Sequence, residues 1–325
     1  MPYITRDDII DTYSRLIQRG ASFLFSKFSI SHTKRTKSAF DETAISSSNW
    51  WMIPMVKERW NRKISGHADM NYRQYLMKEY LYDKENLRLL SLGSGSCAHE
   101  LELAEYQQFK EIVCVDLAQN RLDEAALQAK DKNLTNMSFL CADIRHFNFQ
   151  QNHFDVVLFN SSLHHFEDVR TLILNYVIPC MKDDGILVIN EFVGPIRLQF
   201  PKEQIIAINQ SISLIDPAYK RRFKTNWPKN RFDGSGIWRM ILADPSECID
   251  SANILPALHQ NLEIVVEKPL GGNILMNTLK DIAHHFLDLN EQKESILMKL
   301  FQFEDEYLKT HSSDFIFGIY KKTNH

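Results

Sequence analysis

No stretch of this chain is apolar for long enough to cross a bilayer. Runs such as Val156-Val157-Leu158-Phe159 and Ile186-Leu187-Val188-Ile189 are strand-sized, far below the ~20 residues a membrane helix needs, so no membrane partner is expected. A charge excess of either sign is also missing. Thirty-eight Lys and Arg face 41 Asp and Glu, a net charge of -3, whereas a phosphate backbone calls for a strongly basic face; no nucleic-acid partner is expected. Cysteine is scarce: Cys97, Cys114, Cys141, Cys180 and Cys248 form an odd set with no C-x-x-C pair, which favours reduced thiols over a disulfide framework or a zinc site. The first ten residues carry Arg6, Asp7 and Asp8 where a secretory leader needs an unbroken apolar stretch, so a cytoplasmic chain is expected. No internal repeat is visible. What remains is 325 residues, 44% hydrophobic and 24% charged, with ample material for a globular core of one or two domains.

Along the chain the periodicity changes twice. From about residue 5 to 82 the apolar positions recur at helical spacing, as in Ile9, Tyr13, Leu16 and Ile17 and again in Trp51, Met55, Trp60, Tyr72, Tyr75, Leu76 and Met77; this predicts an N-terminal helical cap over residues 1–84. Within it, residues 26–48 are rich in Ser, Thr and Lys and read as a mobile connection able to order over a ligand. Phe23, Leu24, Phe25 and Phe28 have only Lys27 beside them, so they read as a packed helix rather than an interfacial one. Residues 85–195 alternate short apolar strands, at 87–92, 112–115, 137–140, 154–159 and 186–190, with helices at 98–109, 121–133 and 168–181. Such alternation builds a parallel sheet covered by helices on both faces, with its ligand edge at the carboxyl ends of the strands. Residues 196–261 break the pattern and read as an inserted lid, helical at 203–214 and 250–258. Residues 262–325 add strands at 262–267 and 315–321, separated by helices at 274–289 and 291–308. The expected fold is α/β, seven-stranded and mostly parallel, with the cap and the lid added.

The strongest chemical signal is Leu89-Leu90-Ser91-Leu92-Gly93-Ser94-Gly95-Ser96-Cys97-Ala98, a strand running into a glycine turn that opens a helix. Glycines let the backbone approach a ligand closely, and a helix amino end offers N–H groups to an anionic one. About 20 residues later comes Val113-Cys114-Val115-Asp116, and an acid at the tip of the second strand can accept both hydroxyls of a ribose. The pair implies an adenosine-type cofactor. Gly93 to Ala98 also fits the dinucleotide fingerprint, which keeps NAD open. Cys141-Ala142-Asp143-Ile144 places a further acid, able to receive an adenine amino group, beside an apolar residue that would cover the ring.

These motifs, with Phe154-Asp155-Val156-Val157 and Leu163-His164-His165-Phe166, resemble in their order the class I S-adenosylmethionine-dependent methyltransferases, a Rossmann-like family, over residues 87–194 and more loosely to Lys321. Trp50-Trp51-Met52-Ile53-Pro54, Arg59-Trp60-Asn61-Arg62, Glu191-Phe192-Val193-Gly194-Pro195, Asp244-Pro245-Ser246-Glu247 and Gly271-Gly272 resemble a bacterial small-molecule subgroup of that family. The resemblance implies S-adenosyl-L-methionine as cofactor, with Gly93, Ser94 and Gly95 along its methionine part, Asp116 on the ribose and Leu117 against the adenine. It further implies Asp143 and Ile144 at the adenine edge and Asn160 near the sulfonium. Two positions depart from the family pattern. Ser91 stands where an acid is usual, and Cys97 where a third glycine is usual.

For catalysis the candidates are His165, able to take a proton near neutral pH, and Glu191, whose carboxyl among Ile189 and Phe192 would have a raised pKa. Trp51, Arg59, Tyr72, His164 and Arg197 are candidate residues for binding a small-molecule acceptor. No metal site is expected, because adjacent histidines on one turn would point apart and the segment does not form an H-E-x-x-H pattern. The expected activity is methyl transfer to a small molecule, to oxygen slightly in preference to nitrogen or carbon. A nicotinamide-dependent oxidoreductase and a non-catalytic cofactor-binding module are the alternatives.

Overall fold

The computed structural model describes residues 2–19, 48–147 and 149–323. In chain order these residues form α1 (Arg6–Arg19), α2 (Pro54–Ser65), α3 (Tyr72–Glu79), β1 (Leu87–Leu92), α4 (Ala98–Ala104), β2 (Phe109–Asp116), α5 (Gln119–Asp131), β3 (Met137–Cys141), β4 (Phe154–Asn160), β5 (Met181–Phe192), α6 (Lys202–Ser213), α7 (Ile254–Asn261), β6 (Leu262–Gly271), α8 (Glu291–Tyr307) and β7 (Phe315–Lys322), with shorter helical turns between. The sheet order is β3-β2-β1-β4-β5-β7-β6. Strands β1 to β5 pair in parallel, and β7 runs antiparallel to both β5 and β6. The expected seven-stranded, mostly parallel sheet is present. Its strand order reverses between β1 and β4, which opens a crevice at the carboxyl ends of those strands.

The central strands read as near-continuous apolar runs because both faces of the sheet are covered. In β4, Val156 and Leu158 enter one core while Val157 and Phe159 enter the other, the alternation of a pleated strand. The first core is closed by α2, α3 and α8 through Val56, Trp60, Leu76, Leu297 and Leu300. The second is closed by residues 169–180 and α7 through Val169, Ile173, Ile254 and Leu258. Local chemistry places the covering helices. Pro54 opens α2, where its missing N–H loses no helical bond, and Gly66 ends it in the left-handed conformation at φ +83. A capping box starts α3: Asn71 accepts the Gln74 amide, and Gln74 accepts the Asn71 amide at 2.9 Å.

Three expected helices are corrected. The one placed at 98–109 stops at Ala104, since Phe109 already begins β2 and pairs with Leu87. That at 274–289 is two pieces, Leu275–Leu279 and the 3-10 turn Ala283–Phe286. The break falls where Asp281 adopts φ +70 and the Lys280 carbonyl accepts the buried Lys229 ammonium at 2.5 Å. Residues 169–180 carry a π turn at Ile173–Val177, just ahead of Pro179, whose ring does not fit a regular ladder.

The N-terminal segment docks on the insertion: buried Asp8 accepts the Gly236 amide at 3.0 Å and pairs with Arg239 at 2.8 Å. The connection at 26–48 and the cluster Phe23, Leu24, Phe25 and Phe28 lie outside the described residues, apart from Ser48. Among the described residues no helix is long and apolar enough to cross a membrane.

Candidate functional site

Past β1 the chain turns sharply at Gly93, φ +72, where a Cβ would sit 2.6 Å from Ser162 Cβ. Only glycine lets the turn lie against the segment after β4. The Gly93 and Ser94 amides both donate to the Val115 carbonyl, at 2.8 and 3.1 Å. Asp116, ending β2, accepts the Gly95 amide at 2.7 Å and the Ala118 amide at 2.8 Å. These four amides are therefore engaged by the Val115 carbonyl and the Asp116 carboxylate, which fix the shape of the turn. Cys97, at the third-glycine position, adopts φ +54 and is buried.

Ser91, at the position of the missing acid, donates to Glu100 Oε1 at 2.6 Å. Glu100, on the first turn of α4, is buried, and burial raises its pKa. A carboxylate thus stands below the turn, supplied from nine residues downstream. Sequence reasoning missed it; the available signal was an acid in the first turn of the helix facing β1.

A cavity of about 330 Å³ opens over the turn, within the range of small-ligand sites. Its wall contains all eight expected cofactor residues, Gly93, Ser94, Gly95, Asp116, Leu117, Asp143, Ile144 and Asn160. Asp143 also caps the following turn through the Arg145 amide at 3.0 Å. Asn160 accepts from Asn190 Nδ2 at 2.9 Å, and Asn190 Oδ1 has no hydrogen-bond partner among the described residues. The set fits an adenosine-bearing cofactor, with two strand-end carboxylates for hydroxyl and amino groups, apolar Leu117 and Ile144 for a ring, and an open glycine turn for the tail. At the other end the wall is His165, Phe166, Ser246 and Ile249, the last two from the insertion.

A 3-10 turn, Leu163–His165, brings the rings of His164 and His165 to 4.3 Å between centroids, 40° apart in plane. The expectation that they point apart is corrected; the tight turn sets the two rings side by side at a tilt. Glu191, fully buried, accepts the Ser162 and Leu163 amides at 2.9 and 2.8 Å and His164 Nδ1 at 2.5 Å. Burial works against charge on His164, but Glu191 first, then Glu247 and Asp244, raise its pKa to about 9. Burial and the neighbouring His164 lower that of His165. His165 Nδ1 lies 3.1 Å from Ser246 Oγ, which donates to Asp244 at 2.7 Å.

The family of methyltransferase domains matches residues 83–267. The chain belongs to this family. The match decides between the two cofactors the glycine turn admits: the protein is a class I S-adenosylmethionine-dependent methyltransferase, and S-adenosylmethionine is its cofactor. Among solved structures, geranyl diphosphate C-methyltransferase from Streptomyces coelicolor A3(2), in complex with Mg2+, geranyl diphosphate and S-adenosyl-L-homocysteine, shares the fold. It has 11% identity and a TM-score of 0.54, with 90% of this chain and 98% of that one covered. An S-adenosylmethionine-dependent methyltransferase from Mesorhizobium loti is similar at 15% identity over 78% of this chain and 99% of that one, TM-score 0.44. The [4+2]-cyclase SpnF is similar at 16% identity over 100% and 98%, TM-score 0.47. No curated protein matches the chain.

In this methyltransferase the other expected site residues do not gather at the cavity. Glu191 lies beneath the wall rather than in it, since its carboxylate is consumed by the turn that carries the histidines. Trp51 packs with Trp60 and Phe315, at 4.4 and 5.4 Å between ring centroids. Arg59 forms a two-pronged pair with Asp305 at 2.7 and 2.9 Å. Tyr72, whose pKa burial raises, bonds His99 Nδ1 at 2.6 Å. All three belong to the layer against β7. Arg197 backs the insertion loop through the Glu247 carbonyl at 3.2 Å. His164 is held by Glu191, next to the cavity but outside its lining. Sequence reasoning assigned no role to Ser246 or Glu247, because the insertion's path over β4 is set by tertiary packing, nor to Arg121 and Arg145, which also line the wall.

Proposed function

We propose that this methyltransferase acts on a small-molecule acceptor bound at the His165, Phe166, Ser246 and Ile249 end of the cavity, with oxygen as the preferred atom. The observation that carries the reading is one continuous cavity whose wall holds the glycine turn and both strand-end acids at one end and a histidine under the insertion at the other. S-adenosylmethionine supplies an electrophilic methyl on a sulfonium, a leaving group that needs no acid. Asp116 orients the ribose, Asp143 and Ile144 the adenine, and Gly93 to Gly95 flank the methionine part. Asn160, tied to Asn190, holds its position next to the reacting end. The insertion residues Ser246 and Ile249 exclude water from above, and His165 is the wall residue through which the acceptor oxygen is activated. Proximity and alignment supply most of the rate. Calorimetry with S-adenosyl-L-homocysteine and with NAD is the direct test. Binding of one S-adenosyl-L-homocysteine per chain and none of NAD is expected, and the reverse would end the reading. Incubation of the enzyme and S-adenosylmethionine with hydroxyl-bearing and amine-bearing small molecules then tests the preferred atom.

A further inference from the structure

We propose that His164, His165 and Glu247 hold one divalent first-row transition-metal ion, of the zinc class, beside the acceptor end of the cavity. Their donor atoms all lie within 4.8 Å of one another. His164 Nε2 is 3.8 Å from Glu247 Oε1, and His165 Nε2 is 4.0 Å from Glu247 Oε2. At these separations Glu247 is within ion-pair reach of both rings without being hydrogen-bonded to either nitrogen. Metal bonds of about 2.0–2.1 Å place tetrahedral donors about 3.3 Å apart. Closing that gap takes a rotation of the partly exposed Glu247 side chain toward the two rings, away from the Cys248 thiol that donates to its Oε1 at 3.2 Å.

The far nitrogens carry the stronger argument. A metal-binding imidazole donates its other N–H to a carboxylate or similar acceptor, which fixes the tautomer and aims the ring. Here Glu191 takes His164 Nδ1 at 2.5 Å, and Ser246, itself braced by Asp244, stands 3.1 Å from His165 Nδ1. Both Nε2 atoms are thereby turned to the same carboxylate. Glu191, Glu247 and Asp244 surround two imidazoles with three negative charges, a field that favours a dication. Two histidines and one carboxylate suit zinc or ferrous iron, whereas Mg2+ prefers an all-oxygen shell.

Three protein donors leave a coordination position open, and His165 and Ser246 turn it to the cavity. An acceptor hydroxyl or carboxylate oxygen completes the shell, and the ion polarises it as a Lewis acid. The site itself is independent of the proposed methyl transfer; only its use in activating the acceptor rests on that reading.

The test is titration of the chelator-stripped full-length protein with Co2+, followed by visible d–d absorption, with S-adenosyl-L-homocysteine calorimetry on the same samples. The expected result is saturation at one Co2+ per chain, displaced by Zn2+ and unaffected by millimolar Mg2+. Glu247→Gln and His165→Gln should each weaken Co2+ at least 10-fold, as should Glu191→Gln, which only aims a ligand. His285→Gln, in the other adjacent histidine pair, should leave binding unchanged. Retained S-adenosyl-L-homocysteine binding certifies that the variants fold. No saturable absorption, or equal affinity in wild type, Glu247→Gln and His165→Gln, overturns the proposal. Failure of S-adenosyl-L-homocysteine to bind the wild type would instead refute the cofactor cavity and leave the Co2+ result to be read alone.

Discussion

Asp116 already holds two backbone amides, those of Gly95 and Ala118, so any ribose contact must share a carboxylate that also shapes the glycine turn. Asp116→Ala is expected to lower S-adenosyl-L-homocysteine affinity by about 1.5–3 kcal/mol, the worth of hydrogen bonds to a charged group, while the chain still folds. Unchanged affinity by calorimetry in a folded variant would remove the ribose from this residue. Glu191 is the opposite case. Its sequence context pointed to the binding edge, yet the structure spends both oxygens on Ser162, Leu163 and His164. In Glu191→Gln an NH2 group meets donors in place of an oxygen, with no water to compensate, and a loss of about 1–3 kcal/mol of stability is expected. The guanidinium midpoint measures it; a midpoint equal to the wild type would show that the turn does not depend on the carboxylate.

Elements differ in how plainly the sequence announces them. Edge strand β3, only partly buried, was legible from its place in the strand–helix alternation, whereas β1 and β4 were legible because each is buried on both faces and so reads as an apolar run between polar loops. The closing pair was legible for the same reason at β7, though β6 continues past the expected Glu267 to Gly271. Helix ends were less legible, since what breaks the segment at Asp281 is an ammonium from Lys229, over fifty residues away. At the site, the cofactor half was visible because Gly93, Asp116, Asp143 and Asn160 all end or closely follow strands at one edge, and local pattern fixes strand ends. At the other end the two histidines were read as candidates, but their partners Glu247 and Asp244 were not, because these arrive on an insertion whose course no local period encodes. The glycine turn supplies the prediction at this scale. Ser162 is anchored through Oγ to the Leu92 carbonyl at 2.7 Å and cannot yield to a Cβ at Gly93. Gly93→Ala should therefore lower S-adenosyl-L-homocysteine affinity at least 10-fold and cost about 1–3 kcal/mol of stability. Combining it with Ser162→Gly, which opens the space, should restore part of both. If the double variant binds no better than Gly93→Ala, the positive φ rather than the clash is the constraint.

For the whole molecule, half-buried His99 and buried Asp314, both away from the cavity, make opposing contributions to the response of stability to pH. His99 accepts the Tyr72 hydroxyl at 2.6 Å, and burial followed by the charge of Arg73 pushes its pKa from 6.5 down to about 3. Asp314 lies under the Gly194 turn, and burial raises its pKa from 3.8 to about 7, with the Gln204 amide working against the rise and Glu304 adding to it. Below pH 6.5 the unfolded chain binds a proton at His99 that the folded chain refuses, so this group's stabilisation is full above 6.5 and is lost as pH falls toward 3. Above pH 3.8 the folded chain keeps a proton on Asp314 that the unfolded chain releases. Its contribution is therefore full below 3.8 and is lost as pH rises through 7. Between about pH 4 and 6.5 the two chains bind equal numbers of protons at this pair, and the slopes cancel. Relative to the wild type, Asp314→Asn should show stability rising more steeply with pH, by up to about 1.4 kcal/mol per unit across that window, because groups common to both proteins cancel in the difference. In His99→Gln the difference from the wild type should have the same size and the opposite sign. Guanidinium midpoints at three pH values within the window measure both. Parallel curves for the two variants would show that neither group carries the shifted proton.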